Sequence, residues 1–171
     1  MIFAVVPAAL GCGAHATTRP LTVGAHAPRL VGAAVRGGEV DLARLRRHVV
    51  LLSFLDLRAD TNENEASRAQ IVFLRSMHTQ HARFGLRVVV VDTARESRNE
   101  LVNDTYDWNL DRRIAVLADN GALARRFGVH RSPTTFLIGP KGGVRRRWDG
   151  FVAAAQLDLA IRVLEGRGPR G

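Results

Sequence analysis

The feature that most constrains this chain is the run Val49-Val50-Leu51-Leu52-Ser53-Phe54-Leu55, followed at once by a polar turn and then a helical pattern. The run is too short for an ordinary helix, is rich in β-prone residues and lacks apolar–polar alternation. It therefore reads as a strand covered on both faces of a sheet. The turn, Arg58-Ala59-Asp60-Thr61-Asn62, leads into residues 63–84, which read as one helix. Ala66, Ala69, Val72, Phe73, Met77 and His81 recur there at three- and four-residue spacing and mark the expected buried side. Asn62 is placed to cap this helix, Glu65 three residues on suits a capping box, and Gly85 ends it. A strand feeding a helix in this way presents the unpaired N–H groups and partial positive charge of the helix start at the edge of the sheet. In α/β folds ligands and nucleophiles gather there.

The rest of the chain fits one α/β domain. Leu30 to Val35 and Glu39 to Leu42, split by Gly37-Gly38, read as an N-terminal β-hairpin, and Asp41 to Leu45 as a short helical turn. Leu86 to Asp92 is a second apolar strand, Thr93 to Asn103 a charged surface helix, and Ile114 to Asp119 a further short strand. Ala122 to Phe127 reads as a short helix closed by Gly128. A strand at Thr134–Ile138 and another at Val144–Trp148 flank the turn Gly139-Pro140-Lys141-Gly142-Gly143. Residues 153–165 form a closing amphipathic helix with Ala153, Leu157, Ile161 and Leu164 on one face. The expected division is an export-type segment at 1–12, a tether at 13–21, the domain at 22–165 and a disordered tail at 166–171.

Residues 1–12 carry no charged side chain and are too short to span a bilayer as a helix, which suits the apolar core of a signal peptide. Ala9-Leu10-Gly11-Cys12 resembles a bacterial lipobox, with leucine one position later than usual. On that reading Cys12 is lipidated and the protein is exported, in the periplasm or attached to the membrane. A plain signal sequence, or an apolar start with a buried cysteine, are the other readings. Cys12 is the only cysteine, so the domain beyond it holds neither a disulfide nor a dithiol.

Two further stretches carry a resemblance. Val23-Gly24-Ala25-His26-Ala27-Pro28 is similar to the entry motif of redoxins. Gly128-Val129-His130-Arg131-Ser132-Pro133-Thr134-Thr135-Phe136-Leu137-Ile138 is similar to their Gly-Val-x-x-x-Pro-Thr-Thr-Phe-Leu-Ile motif. With the Phe54 strand end and Glu65, residues 22–165 resemble the thioredoxin-like redoxins, the exported thiol-disulfide oxidoreductases and their AhpC/TSA-type peroxiredoxin relatives. The resemblance implies a central mixed β-sheet flanked by helices, with the hairpin as an N-terminal extension. It also implies a cis Pro133 whose loop faces the cysteine pair and contacts the substrate backbone. Here the chain departs from the family. Ala59 and Asn62 occupy the two cysteine positions, and Ser67 stands where the family often has a helix-kinking proline, which predicts a straighter helix.

Redoxin chemistry needs a thiolate. Ala59 offers no nucleophile and Asn62 cannot resolve a mixed disulfide. Thr61 has a hydroxyl but no evident activating base. The expectation is a thioredoxin-like fold without a catalytic residue. Its ancestral groove, made by Arg58, Asp60, Thr61, Glu65, His130, Arg131, Ser132, Pro133 and Thr134, would bind a protein or peptide of the envelope. The alternative is a redoxin acting with a partner that supplies the thiols. No cofactor and no metal is expected. Asp56, Asp60, Glu63 and Glu65 could hold a cation or simply complement a helix start. His78 and His81 could bind a metal but have no third ligand nearby in sequence, and also suit solvated or half-buried helix positions. His130 can contact a ligand or merely cover the loop. The sequence holds neither a Gly-x-Ser-x-Gly elbow nor a Walker phosphate loop. The net charge of +9 comes almost entirely from arginine, Lys141 being the single lysine. Scattered arginines with few aromatics weigh against nucleic acid.

Overall fold

The computed structural model describes residues 20–58 and 64–168. Strand β3 (Val50–Leu55) is buried along its whole length, as an apolar run without alternation requires. It is the middle strand of a five-stranded sheet ordered β5-β4-β3-β6-β7. Strands β4 (Arg87–Asp92) and β5 (Ala115–Ala118) run parallel to it in turn. Strands β6 (Thr134–Ile138) and β7 (Val144–Asp149) are antiparallel on its other side. A separate hairpin pairs β1 (Val31–Ala33) with β2 (Glu39–Asp41). The sheet is thus mixed, with the hairpin outside it, which is the expected thioredoxin-like architecture.

Each sheet face has its own core. Leu51, Leu55, Val88, Val90 and Leu137 face helices α1 (Glu65–His81) and α4 (Ala154–Leu164). Leu52, Phe54, Val89, Val91 and Phe136 pack with the hairpin residues Leu30, Ala34 and Val40 and with Phe127 at the end of α3 (Ala122–Arg126). Phe54, Phe127 and Phe136 form a closed aromatic trio with ring centroids 5.4–6.0 Å apart.

Three expectations need correction. First, α1 begins at Glu65 with Asn64 at the cap position, and no side-chain bond caps it. Asn62, the expected cap, lies outside the described residues, and Glu65 is an exposed residue of the first turn. Second, the buried face of α1 is rotated from the expected one. It carries Ser67, Gln70, Ile71, Leu74, Met77, His78 and His81, while Val72 is 56% exposed. Four of these seven residues are polar, so the apolar periodicity misplaces the face. Gln70 is tolerated inside because its Oε1 accepts the Val152 N–H at 2.9 Å, joining α1 to the chain entering α4. Third, the charged helix α2 starts at Arg98, not Thr93, and runs to Asp107. Ser97 accepts from the Glu100 N–H and Glu100 accepts from the Ser97 N–H, a complete capping box that fixes the later start. At the chain's end, Arg167, read as part of a disordered tail, lies over the Phe84 ring with Cζ 3.7 Å from its centroid.

Candidate functional site: the groove at the cis proline

The site follows from the register of the sheet. Phe54 lies opposite Thr134, so the segment leaving β3 and the segment entering β6 emerge side by side. Arg58 is on the first. His130, Arg131, Ser132 and Pro133 are on the second, with Thr134 opening β6. Asp60, Thr61 and the two former cysteine positions, Ala59 and Asn62, lie outside the described residues.

The Ser132–Pro133 peptide bond is cis. Pro133 and Thr134 are buried, whereas His130, Arg131 and Ser132 are exposed along the rim. Thr134 Oγ1 donates to the Arg131 carbonyl at 2.8 Å and lies 3.2 Å from Asp149, while the Pro133 carbonyl accepts the Gly150 N–H. The C-terminal end of the loop is therefore tied to the end of β7 and to Gly150 just beyond it. Among the described residues, neither the N–H nor the C=O of Ser132 has a hydrogen-bond partner. An exposed main-chain donor and acceptor at the edge of a loop can pair with another extended chain.

One residue of this site was not identified from sequence. Ser67 Oγ lies 3.2 Å from Ser132 Oγ and accepts the Asp56 N–H at 3.2 Å, and Ser132 Oγ also reaches the Phe54 carbonyl at 3.4 Å. Two hydroxyls thus join the end of β3, the first turn of α1 and the proline loop. A Ser at a position where the family often has proline was the available signal, but its partner lies 65 residues away. Below this bridge, Ser53 and Thr135 hydroxyls meet at 2.7 Å inside the sheet.

Behind the β3 end the electrostatics are acidic. Arg58 hydrogen-bonds and ion-pairs with Asp56, which holds the Asp56 carboxyl below its ordinary range despite partial burial. The Asp56 carbonyl and the Arg58 carbonyl both accept from the Asn64 amide. Trp108 Nε1 donates to the Leu57 carbonyl at 2.9 Å. Asp92, at the end of β4, is fully buried; burial pushes it up, while the N–H groups of Ala94 and Leu57 pull it back. Next to it, burial and the facing Asp104 carboxylate raise Glu96 to about 8. Glu96 Oε2 and Asp104 Oδ2 have no donor among the described residues. Two carboxylates can bond only through a shared proton, so Glu96 carries one at neutral pH.

The sign of the resulting pH dependence is fixed. The folded value of about 8 lies above the ordinary 4.5, so the stabilisation is complete below about pH 4.5 and is lost as pH rises through 8. Glu96→Gln is expected to flatten the fall in stability between those limits, by less than one full proton's slope because the group is partly exposed and screened. Urea unfolding at pH 6 and pH 9 checks this. A variant with the same pH response as the parent would contradict the shared proton.

The metal readings change with the geometry. His78 and His81 lie on the buried face of α1. His81 is occupied by carboxylates, with Nε2 2.9 Å from Asp158 and Nδ1 3.0 Å from Glu165. No group of three His, Cys, Asp or Glu among the described residues is arranged to hold a metal ion.

Comparison with known proteins agrees with the fold. A Chlorobium tepidum structure provisionally named thiol:disulfide interchange protein DsbE matches with a TM-score of 0.73 at 24% identity, over 85% of this chain and 99% of that one. A solution structure of a thiol:disulfide interchange protein from Bacteroides sp. matches at 0.69 and 16%, over 85% and 91%. A secreted Mycobacterium tuberculosis disulfide oxidoreductase homologous to E. coli DsbE matches at 0.65 and 16%, over 79% and 96%. No curated protein matches the chain. The AhpC/TSA family model matches residues 23–147, from the entry motif through the proline loop into β7, and the chain belongs to the AhpC/TSA family.

Proposed function

We propose that this protein is a redox-silent member of its family that acts outside the cytoplasm by binding an extended protein or peptide segment in the Ser132–Pro133 groove. The observation that carries the reading is a proline loop kept in place by the Ser67–Ser132 bridge in a chain whose single cysteine is Cys12. The N–H and C=O of Ser132, unpaired among the described residues, supply main-chain pairing, and exposed His130 and Arg131 supply side-chain contacts at the rim. The apolar start of the chain and the lipobox-like Ala9–Cys12 support export and attachment through a lipid on Cys12. The secreted M. tuberculosis relative supports the same compartment.

The test is a capture experiment from envelope extract, with the chain as bait beside a matched bait carrying Pro133→Ala and His130→Ala. A partner held by the first and lost by the second supports the groove. Partners held equally by both would move the function elsewhere on the surface.

A second reading, that the chain is a redoxin component whose partner supplies the thiols, is favoured by the family match over 23–147. Adding extract to the purified chain separates the two. Disulfide reduction that depends on the chain and on a second, thiol-bearing protein supports the second reading alone.

A further inference from the structure

A groove of about 640 Å³ runs between edge strand β7 and helix α4 and shares no residue with the proline site. Helix α4 explains it. Leu157 and Ile161 form the stripe that enters the core. A second stripe, Leu159, Ala160, Val163 and Leu164, lines the groove, and Leu159 and Val163 are 52% and 57% exposed. A helix apolar beyond its core stripe has a second apolar face to cover. Trp148 forms part of the opposite wall.

Arg145 and Arg146 lie at the rim. Both are exposed, and neither meets a carboxylate among the described residues. This contrasts with Arg147 on the other side of the same strand, which pairs with Asp149 at 2.8 Å and lies over the Phe136 ring. Arg145 packs against Gly139, where an added Cβ would come within 2.9 Å of its Nε. Among the described residues, the groove therefore combines an apolar wall that nothing covers with two guanidinium groups that meet no carboxylate.

We propose that this groove binds a single anionic amphiphile, its hydrocarbon chain along Trp148 and the Leu159–Val163 stripe and its carboxylate or phosphate head at Arg145 and Arg146. The free volume lies within the roughly 300–1,000 Å³ of small-molecule sites. Guanidinium groups pair with carboxylate and phosphate through two parallel hydrogen bonds, which sets the head-group chemistry. The occupant is a free amphiphile and not a bilayer surface, because the groove has the free volume of a site for one small molecule.

The test uses the full chain and tryptophan emission, with Trp148→Phe to identify the reporting residue. One arm titrates monomeric dodecanoate, with dodecanol as the uncharged control. The other titrates phosphatidylcholine vesicles with and without phosphatidylglycerol. The expected result is a saturable Trp148-dependent change with dodecanoate, at least tenfold weaker in the Arg145→Gln, Arg146→Gln double variant whose circular dichroism matches the parent. Saturation by dodecanoate supports the proposal, and a response to anionic vesicles alone would overturn it in favour of a membrane surface. Equal affinity for dodecanol and dodecanoate, equal affinity in the double variant, or no saturable change in either arm would overturn the proposal.

Discussion

Phe54→Ala lowers the unfolding free energy by about 3–5 kcal/mol, the range for deleting a fully buried phenylalanine. Phe54 is completely buried on the middle strand of the sheet, and its ring touches both Phe127 and Phe136. Truncation removes two edge or tilted ring contacts together with the transfer free energy of the ring. It leaves a cavity between β3, β6 and the end of α3 that strands paired on both sides cannot close. With a urea slope of about 2 kcal/mol per M, the midpoint moves down by about 2 M. A shift below about 0.5 M would show that this face of the sheet repacks and that the trio does not hold the hairpin-side core.

His81→Ala has a comparable effect for a different reason. The His81 ring is 2% exposed and stands between Asp158 on α4 and Glu165 just beyond it. Each ring nitrogen lies within hydrogen-bond distance of a carboxylate, Nε2 at 2.9 Å from Asp158 and Nδ1 at 3.0 Å from Glu165, so the ring bridges two acids. The bonds to Arg162 and His81 hold Asp158 below its ordinary value, against the upward push of burial. Removing the ring leaves the Glu165 carboxylate, also 2% exposed, with only the Arg167 guanidinium at 3.1 Å. Breaking a buried pair from one side costs about 3–5 kcal/mol when the remaining charge is left alone; the retained Arg167 and Arg162 contacts place the loss at the lower end of that range. Urea unfolding of His81→Ala and of the double variant His81→Ala, Glu165→Ala measures it. The double variant recovers part of the loss, because the stranded carboxylate has gone. A double variant that loses the sum of both single changes would contradict a shared node.

The contrast between these residues explains what the sequence could reveal. Phe54 was legible because a strand buried on both faces needs an unbroken apolar run, and β3, β4 and β6 all announce themselves that way. The helix beside them did not. Its buried face carries Ser67, Gln70, His78 and His81, and three of these gain burial through partners far along the chain: Ser132, Val152, Asp158 and Glu165. Apolar spacing weights Ala66 and Val72 instead, which face solvent. The same limit applies at the site. The proline loop was readable as a motif, but the hydroxyl bridge from Ser67 and the proton between Glu96 and Asp104 exist only once separate elements have packed.

The absence of a catalytic thiol is the centre of this account, and a disulfide-reduction assay on the purified chain tests it most directly. The comparison pairs the natural chain with its Ala59→Cys, Asn62→Cys variant, against insulin and dithiothreitol. The natural chain is expected to stay at the rate of reductant alone, and the variant to exceed it at least tenfold, because the loop at Pro133 keeps its cis bond and its Ser67–Ser132 bridge. Turnover by the natural chain that survives Cys12→Ser would contradict it.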